Sequence, residues 1–378
     1  MHALRHRLIG VALLAFATAC TRPDATPASE RGESGFRGVL ISPPRAKPDF
    51  ALPDQNGRVY DFRKETEGKV ALLFFGYTHC PDVCPLHVAN VAAVLARMPF
   101  EEREAVRFVF VSTDPKRDTP QRLKEWLGNF DPSFIGLSAP EDEVNRILYE
   151  LRMPPIQEDP KPTDSATYLV GHAAQVIAFG TDGVARVEYP FGVRQEDWAH
   201  DLPLLARGVV PDAEAANAAA PAGIELQAMA ESAAAAAMRG MPIRVSVAIV
   251  PQPATTSEAA LYVVLQNGGT TDDTLVTVWS ELSARAEMHE TMRGADGAAM
   301  AHMTPVPQVV VKAGETLRFA PGDRHVMLLQ LSKRPEVGES IPIRLRFKGA
   351  GDIALAAEVV PYAEVERRLA PPAASGRP

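Results

Sequence analysis

Gly76-Tyr77-Thr78-His79-Cys80-Pro81-Asp82-Val83-Cys84-Pro85 follows an unbroken apolar run, Val70 to Gly76, and precedes a helical pattern that continues to about Met98. It reads as a strand feeding a helix N-terminus with two thiols at the junction. Working outward, a second strand-like run spans Val106 to Thr113 and a second helix starts at Thr119, which sets an α/β alternation. Thr181-Asp182-Gly183 stands between the runs Gln175 to Phe179 and Val184 to Tyr189 and predicts a hairpin, so the sheet is expected to be mixed. After Met241 the texture changes to short alternating runs: Leu261 to Gln266, Leu275 to Ser280, Thr316 to Phe319, Val326 to Leu331 and Ile341 to Phe347. Gly, Pro and Asp separate them, which is the pattern of an all-β sandwich.

With 378 residues, 46% of them hydrophobic, the chain has room for two domains and tails. A formal net charge of −8 and the lack of any concentrated Lys/Arg block argue against nucleic acid as a partner. The expected organisation is a signal peptide over residues 1–20, a flexible tether over 21–48, an α/β domain over 49–208, an Ala/Pro-rich linker with a short helix over 209–240, a β domain over 241–362 and a disordered tail over 363–378.

The N-terminus opens with Arg5 and Arg7, an apolar run from Leu8 and then Ala17-Thr18-Ala19-Cys20, the pattern of an export signal. The run is short for a membrane span, and the small residues before Cys20 resemble a bacterial lipoprotein cleavage box. The expectation is a chain held at a membrane by lipid on Cys20, on the periplasmic side of a bacterial envelope. A plain secretory signal is the alternative. Three cysteines in an exported chain leave one without a partner, and lipidation of Cys20 leaves Cys80 and Cys84 as a pair.

Thiols at a helix N-terminus have their thiolate form stabilised by the helix dipole. A spacing of four residues puts both sulfurs on one helical face, where they can close a disulfide or hold one metal ion, and soft thiolates favour Cu(I). A purely structural bridge would close only a tiny loop and restrain the unfolded chain little. A functional dithiol is therefore expected, with redox work and metal work both open.

Gly76 to Pro85, Ser112-Thr113-Asp114-Pro115 with Arg117-Asp118-Thr119-Pro120, and Tyr168-Leu169-Val170-Gly171-His172 together resemble the Sco/SenC family over roughly residues 45 to 208. The resemblance implies a thioredoxin-like fold and a copper site made of Cys80, Cys84 and His172. Gly171 stands where the family commonly carries Asp, which removes a carboxylate that could support the imidazole. His79 and His87 are read as neighbours of the site, and Asp114 as shaping it through turn and cap chemistry.

A second concentration of soft donors lies in Met288-His289-Glu290-Thr291-Met292, Met300-Ala301-His302-Met303 and His325-Val326-Met327. Thioether and imidazole together suit Cu(I), and thioether survives an oxidising compartment better than free thiolate. Any single Met is as readily a core filler; the cluster points to binding. The region from about residue 241 to 362 resembles the PCuAC family of periplasmic copper chaperones. That resemblance implies a cupredoxin-like sandwich with an exposed Cu(I) site formed by His289, Met303, His325 and Met327. The interval from Met303 to His325 matches the family's, while that from His289 to Met303 is longer, so Met300 is the alternate ligand and Met292 and His302 are auxiliary candidates.

The expected function is delivery of Cu(I) for assembly of the CuA centre of cytochrome c oxidase, with Cu(II) as a second candidate at the Cys/Cys/His site. The expected partner is the oxidase subunit carrying that centre, or a similar cuproenzyme. The alternatives are a thiol-disulfide reductase using Cys80 and Cys84, and a copper-buffering protein with no partner.

Overall fold

The computed structural model describes residues 35–158, 168–211, 243–293 and 300–370; side chains at 158, 292, 293 and 300–302 lie outside the description. Cys20, the signal segment and the Ala-rich stretch expected to be helical lie outside the described residues. Among those described, no helix is long and apolar enough to cross a membrane.

The first domain is built on a six-stranded sheet in the order Val39–Ala46, Val184–Tyr189, Val176–Phe179, Val70–Gly76, Val106–Ser112, Ile135–Leu137. Val70–Gly76 runs parallel to Val106–Ser112 and antiparallel to Val176–Phe179, so the sheet is mixed as expected. The strand Val70–Gly76 is buried at every position, which explains its continuous apolar run: residues pointing to either face meet other protein. Helices Val83–Leu95 and Gln195–Ala206 pack together, and Pro120–Gly128 packs on the edge strand Ile135–Leu137. Gly183 takes a φ of 76° in the hairpin turn, which an L side chain rarely adopts.

The tether expected over 21–48 ends earlier than its composition indicates. Val39–Ala46 is an edge strand paired with Val184–Tyr189, and Ile41 and Lys47 are buried, with the Lys47 ammonium donating to the carbonyl and hydroxyl of Thr66 at 2.9 Å each. Its register shifts between Leu40 and Arg45, around Pro43-Pro44. Proline at an edge bulge is compatible with a sheet but hides the strand from a reading based on alternation.

Among the described residues of the second domain, ten strands between Ile243 and Val360 curl about one core that includes Val250, Leu261, Val263, Leu275, Val326, Leu345 and Val359. Ser340–Phe347 alternates exposed and buried residues along its whole length, the signature of a sheet with one wet face. Glu258–Asn267 does not alternate. Its Ala259, Leu261, Val263 and Leu265 fill the β core, while Ala260, Tyr262 and Val264 pack against Leu86 and Ala89 of the helix Val83–Leu95 in the first domain. The two domains are thus docked through an apolar interface. Backbone pairing continues across it, with Met300 opposite Ala173 and Ala301 opposite His172.

The tail expected to be disordered from 363 is ordered to about Leu369. A 3-10 turn at Tyr362–Glu364 and a helix at Val365–Leu369 bury Tyr362, Val365 and Leu369 in the same interface. Glu366 accepts from Asn90 Nδ2 at 2.8 Å and from the Gln195 backbone N–H at 3.1 Å. Three apolar residues at helical spacing were the overlooked signal.

Candidate metal centre

Cys80, Cys84 and His172 come together: one ligand atom from each lies within 4.8 Å of the others. Val70–Gly76 carries the chain to the loop that holds Cys80, and Cys84 sits in the first turn of the helix Val83–Leu95. Gly76 makes this possible, because a Cβ there would lie 2.7 Å from Cys84 Sγ and 3.1 Å from Phe110. The two cysteines are free thiols, both buried.

The imidazole of His172 is preset. Its Nδ1 lies 3.0 Å from the Ala173 carbonyl, which can only accept, so Nδ1 carries the proton and Nε2 turns its lone pair toward Cys84 Sγ at 3.4 Å. A backbone carbonyl thus does the orienting that Gly171 cannot, which answers the missing carboxylate. Phe74 and Tyr77 stand edge-on to the ring, with centroids 6.1 and 5.6 Å away.

The sulfurs are unequal. Burial works to raise Cys80, but its hydrogen bonds with Cys84 and His172 override that and hold it well below the usual thiol value. Burial and then Cys80 itself push Cys84 well above it. Cys80 is therefore the thiolate of the pair, ready to ligate a soft metal or attack a disulfide.

His87 is directed away from the thiols: its Nε2 donates to the Ala174 carbonyl at 3.0 Å, and its ring lies edge-on to Phe74. His79, Asp114 and Asp118 also bring ligand atoms within 4.8 Å of one another. Asp118 is engaged by Thr78 and Ser112, and Asp114 by Arg117 and Tyr168, so both brace the loops.

Burial pulls His87 down to about 4, against only partial support from its bond to Ala174. The unfolded chain takes up this proton below about pH 6.5, whereas the native chain does not until about pH 4. Stability is therefore complete above pH 6.5 and falls as pH drops through that window, by about 3 kcal/mol for a shift of this size. In denaturant titrations at pH 7 and pH 4.5, His87→Leu should show a smaller acid loss than the parent; equal losses would contradict the assignment.

The second set of donors shares one face. Antiparallel register places His289 opposite His325, Glu287 opposite Met327 and Thr291 opposite Met303. With a period of two, His289, Met303, His325 and Met327 fall on the same side of the sheet. The imidazole centroids of His289 and His325 are 5.9 Å apart. His289 Nε2 lies 3.2 Å from a Glu287 carboxylate oxygen and His325 Nδ1 3.2 Å from the Asp323 carbonyl, so those nitrogens carry the protons. The remaining nitrogens, His289 Nδ1 and His325 Nε2, are buried with no hydrogen-bond partner among the described residues. An unpaired buried acceptor costs about 1–3 kcal/mol, which a ligand at that atom would relieve. Burial and then the neighbouring His325 pull His289 down to about 4, keeping the ring neutral at pH 7.

This face is buried, where an exposed site was expected: His289, Met303, His325 and Met327 are all covered. The cover is the first domain, since Met303 and Met327 belong to the apolar cluster that also contains Cys80 and Cys84. Met288, on the other side of its strand, fills the β core, the ordinary role of a methionine. Met300, Met292 and His302 lie where side chains are outside the description. Asp82, which belongs to no ligand pattern in the sequence, turns a buried carboxylate to the second domain, where it accepts from Tyr262 and the Gly322 backbone.

Two family models match the chain: one described as SCO1/SenC over residues 40–206, and one described as "Putative lipoprotein LpqE-like" over residues 235–359. A protein of Stutzerimonas stutzeri named "Putative copper-binding protein" is 34% identical over 175 residues, which cover 46% of this chain and 83% of that one. Among solved structures, Bradyrhizobium japonicum ScoI with copper bound is 34% identical, covering 42% of this chain and 99% of that one with a TM-score of 0.38. The apo PCuAC domain from PmoF1 is 27% identical, covering 32% of this chain and 93% of that one with a TM-score of 0.27. The α/β domain is the part matched by the SCO1/SenC model and the all-β domain the part matched by the LpqE-like model. Matched at this identity across 83% of the Stutzerimonas protein, the chain belongs to the SCO1/SenC family.

Proposed function

We propose that this chain is an envelope copper chaperone with two copper sites, one at Cys80, Cys84 and His172 and the other at His289, Met303, His325 and Met327. Its task in this reading is to supply copper for assembly of the CuA centre of cytochrome c oxidase, from the periplasmic side, anchored by lipid on Cys20. The cargo is Cu(I), with Cu(II) as a second candidate at the thiol site. The observation that carries the reading is the gathering of thiolate, thioether and imidazole donors on facing sides of one interface, with lone pairs on His172, His289 and His325 not engaged by protons. The name of the Stutzerimonas relative agrees with it.

The reduced full chain, titrated with Cu(I) against a chelator, should retain two equivalents; one or none overturns the two-site reading. A strain lacking the protein should lose oxidase activity and regain it with added copper. Copper sensitivity with intact oxidase would instead favour buffering. The inequality of Cys80 and Cys84 favours a second reading, thiol-disulfide exchange in which Cys80 attacks and Cys84 resolves.

A further inference from the structure

Asp82 is the N-cap residue of the helix Val83–Leu95, yet its side chain makes no capping hydrogen bond. An Asp at this position ordinarily accepts from its own helix's backbone. Here the carboxylate points out of the first domain into the second. Oδ1 accepts from the Tyr262 hydroxyl at 2.6 Å; Oδ2 accepts from the Gly322 backbone N–H at 2.8 Å and the Thr291 hydroxyl at 3.4 Å, with His325 Nδ1 at 3.6 Å. It is fully buried, so a charge set between the two cysteines is matched only while the second domain is in place.

The seat around it is close-fitting. Gly322, in a turn that begins at Ala320, has a φ of 69°, and a Cβ there would lie 1.9 Å from the Phe191 ring of the first domain. Arg122 bridges the domains as well, donating to the Thr78 hydroxyl at 2.9 Å and the Thr255 hydroxyl at 3.2 Å. Within this arrangement Cys80 is 3% exposed and Cys84 not at all.

We propose that the second domain is a cap seated on the thiol site by Asp82, and that the thiols of Cys80 and Cys84 can be reached from outside only when the two domains part. An acceptor protein or a disulfide substrate then has to displace the cap, competing for the face that Asp82 and the helix Val83–Leu95 present. The cap also keeps the thiols from oxidants in an oxidising compartment, since access governs thiol reactivity.

The test is the alkylation rate of the metal-free, reduced full chain with a bulky maleimide. The parent should react at least about tenfold more slowly than the same chain unfolded in denaturant, and Asp82→Ala should recover about tenfold or more, the worth of one hydrogen bond to a charged group. Because Asp82 lies beside the thiols, the deciding variant is Gly322→Ala, which acts from the second domain; it too should speed alkylation, with an unchanged circular dichroism spectrum. Parent thiols reacting at the unfolded rate would overturn the cap. So would Gly322→Ala reacting as slowly as the parent. Since no metal is present, either failure leaves the copper reading standing.

Discussion

Replacing His172 by alanine should remove chelator-resistant copper from the first site and lower its affinity by about 100-fold or more, because even residues that merely support a ligand are worth 10–100-fold. The stoichiometry of the reduced chain should fall from two to one. The fixed tautomer is the reason: with Nδ1 held by the Ala173 carbonyl, Nε2 faces Cys84 Sγ, where a metal between the sulfurs would sit. The same variant separates chaperone from reductase, though not by a simple loss of rate. His172 helps hold Cys80 low, after the hydrogen bond with Cys84, so its removal raises the Cys80 pKa and moves the pH profile of thiol exchange upward. The plateau rate at high pH should survive while copper is lost at every pH. A variant that keeps two chelator-resistant coppers would show that His172 is no ligand.

Much of the first domain was legible in its residues. The apolar run before Gly76, the four-residue spacing of the thiols and the Thr181-Asp182-Gly183 turn each have a local cause, and each stands where expected. The donors at His289, His325 and Met327 share a face because strands have a period of two, which could also be read locally for His325 and Met327. What stayed hidden depends on distant partners. Val39–Ala46 is held by a strand far along the chain, and Asp82 by residues of the other domain. The docking did leave one trace. Ala259 to Leu265 is apolar without a break, and in a sheet with one wet face such a strand has nowhere to put its second row of side chains. That second row, Ala260, Tyr262 and Val264, is the interface.

The other large effect concerns Met303 and Met327, and the structure decides which substitution can test them. Both are buried, 5% and 3% exposed, in an apolar cluster spanning the domain interface, so each could be packing alone. Alanine would remove sulfur and volume together, at about 2–5 kcal/mol per buried methionine, and a loss of copper could then follow from a loosened interface. Leucine conserves volume at a cost usually below about 1.5 kcal/mol and takes away only the thioether. Met303→Leu/Met327→Leu should therefore melt close to the parent and retain one copper where the parent retains two, with the remaining copper lost on further replacement of Cys80 and Cys84 by serine. His289 and His325 bear on the outcome: among the described residues their unprotonated nitrogens are buried with no hydrogen-bond partner, which the proposed metal held with the two thioethers would satisfy. A leucine pair that retains both coppers would assign Met303 and Met327 to packing, and would leave the imidazole nitrogens to be explained by something other than a thioether site.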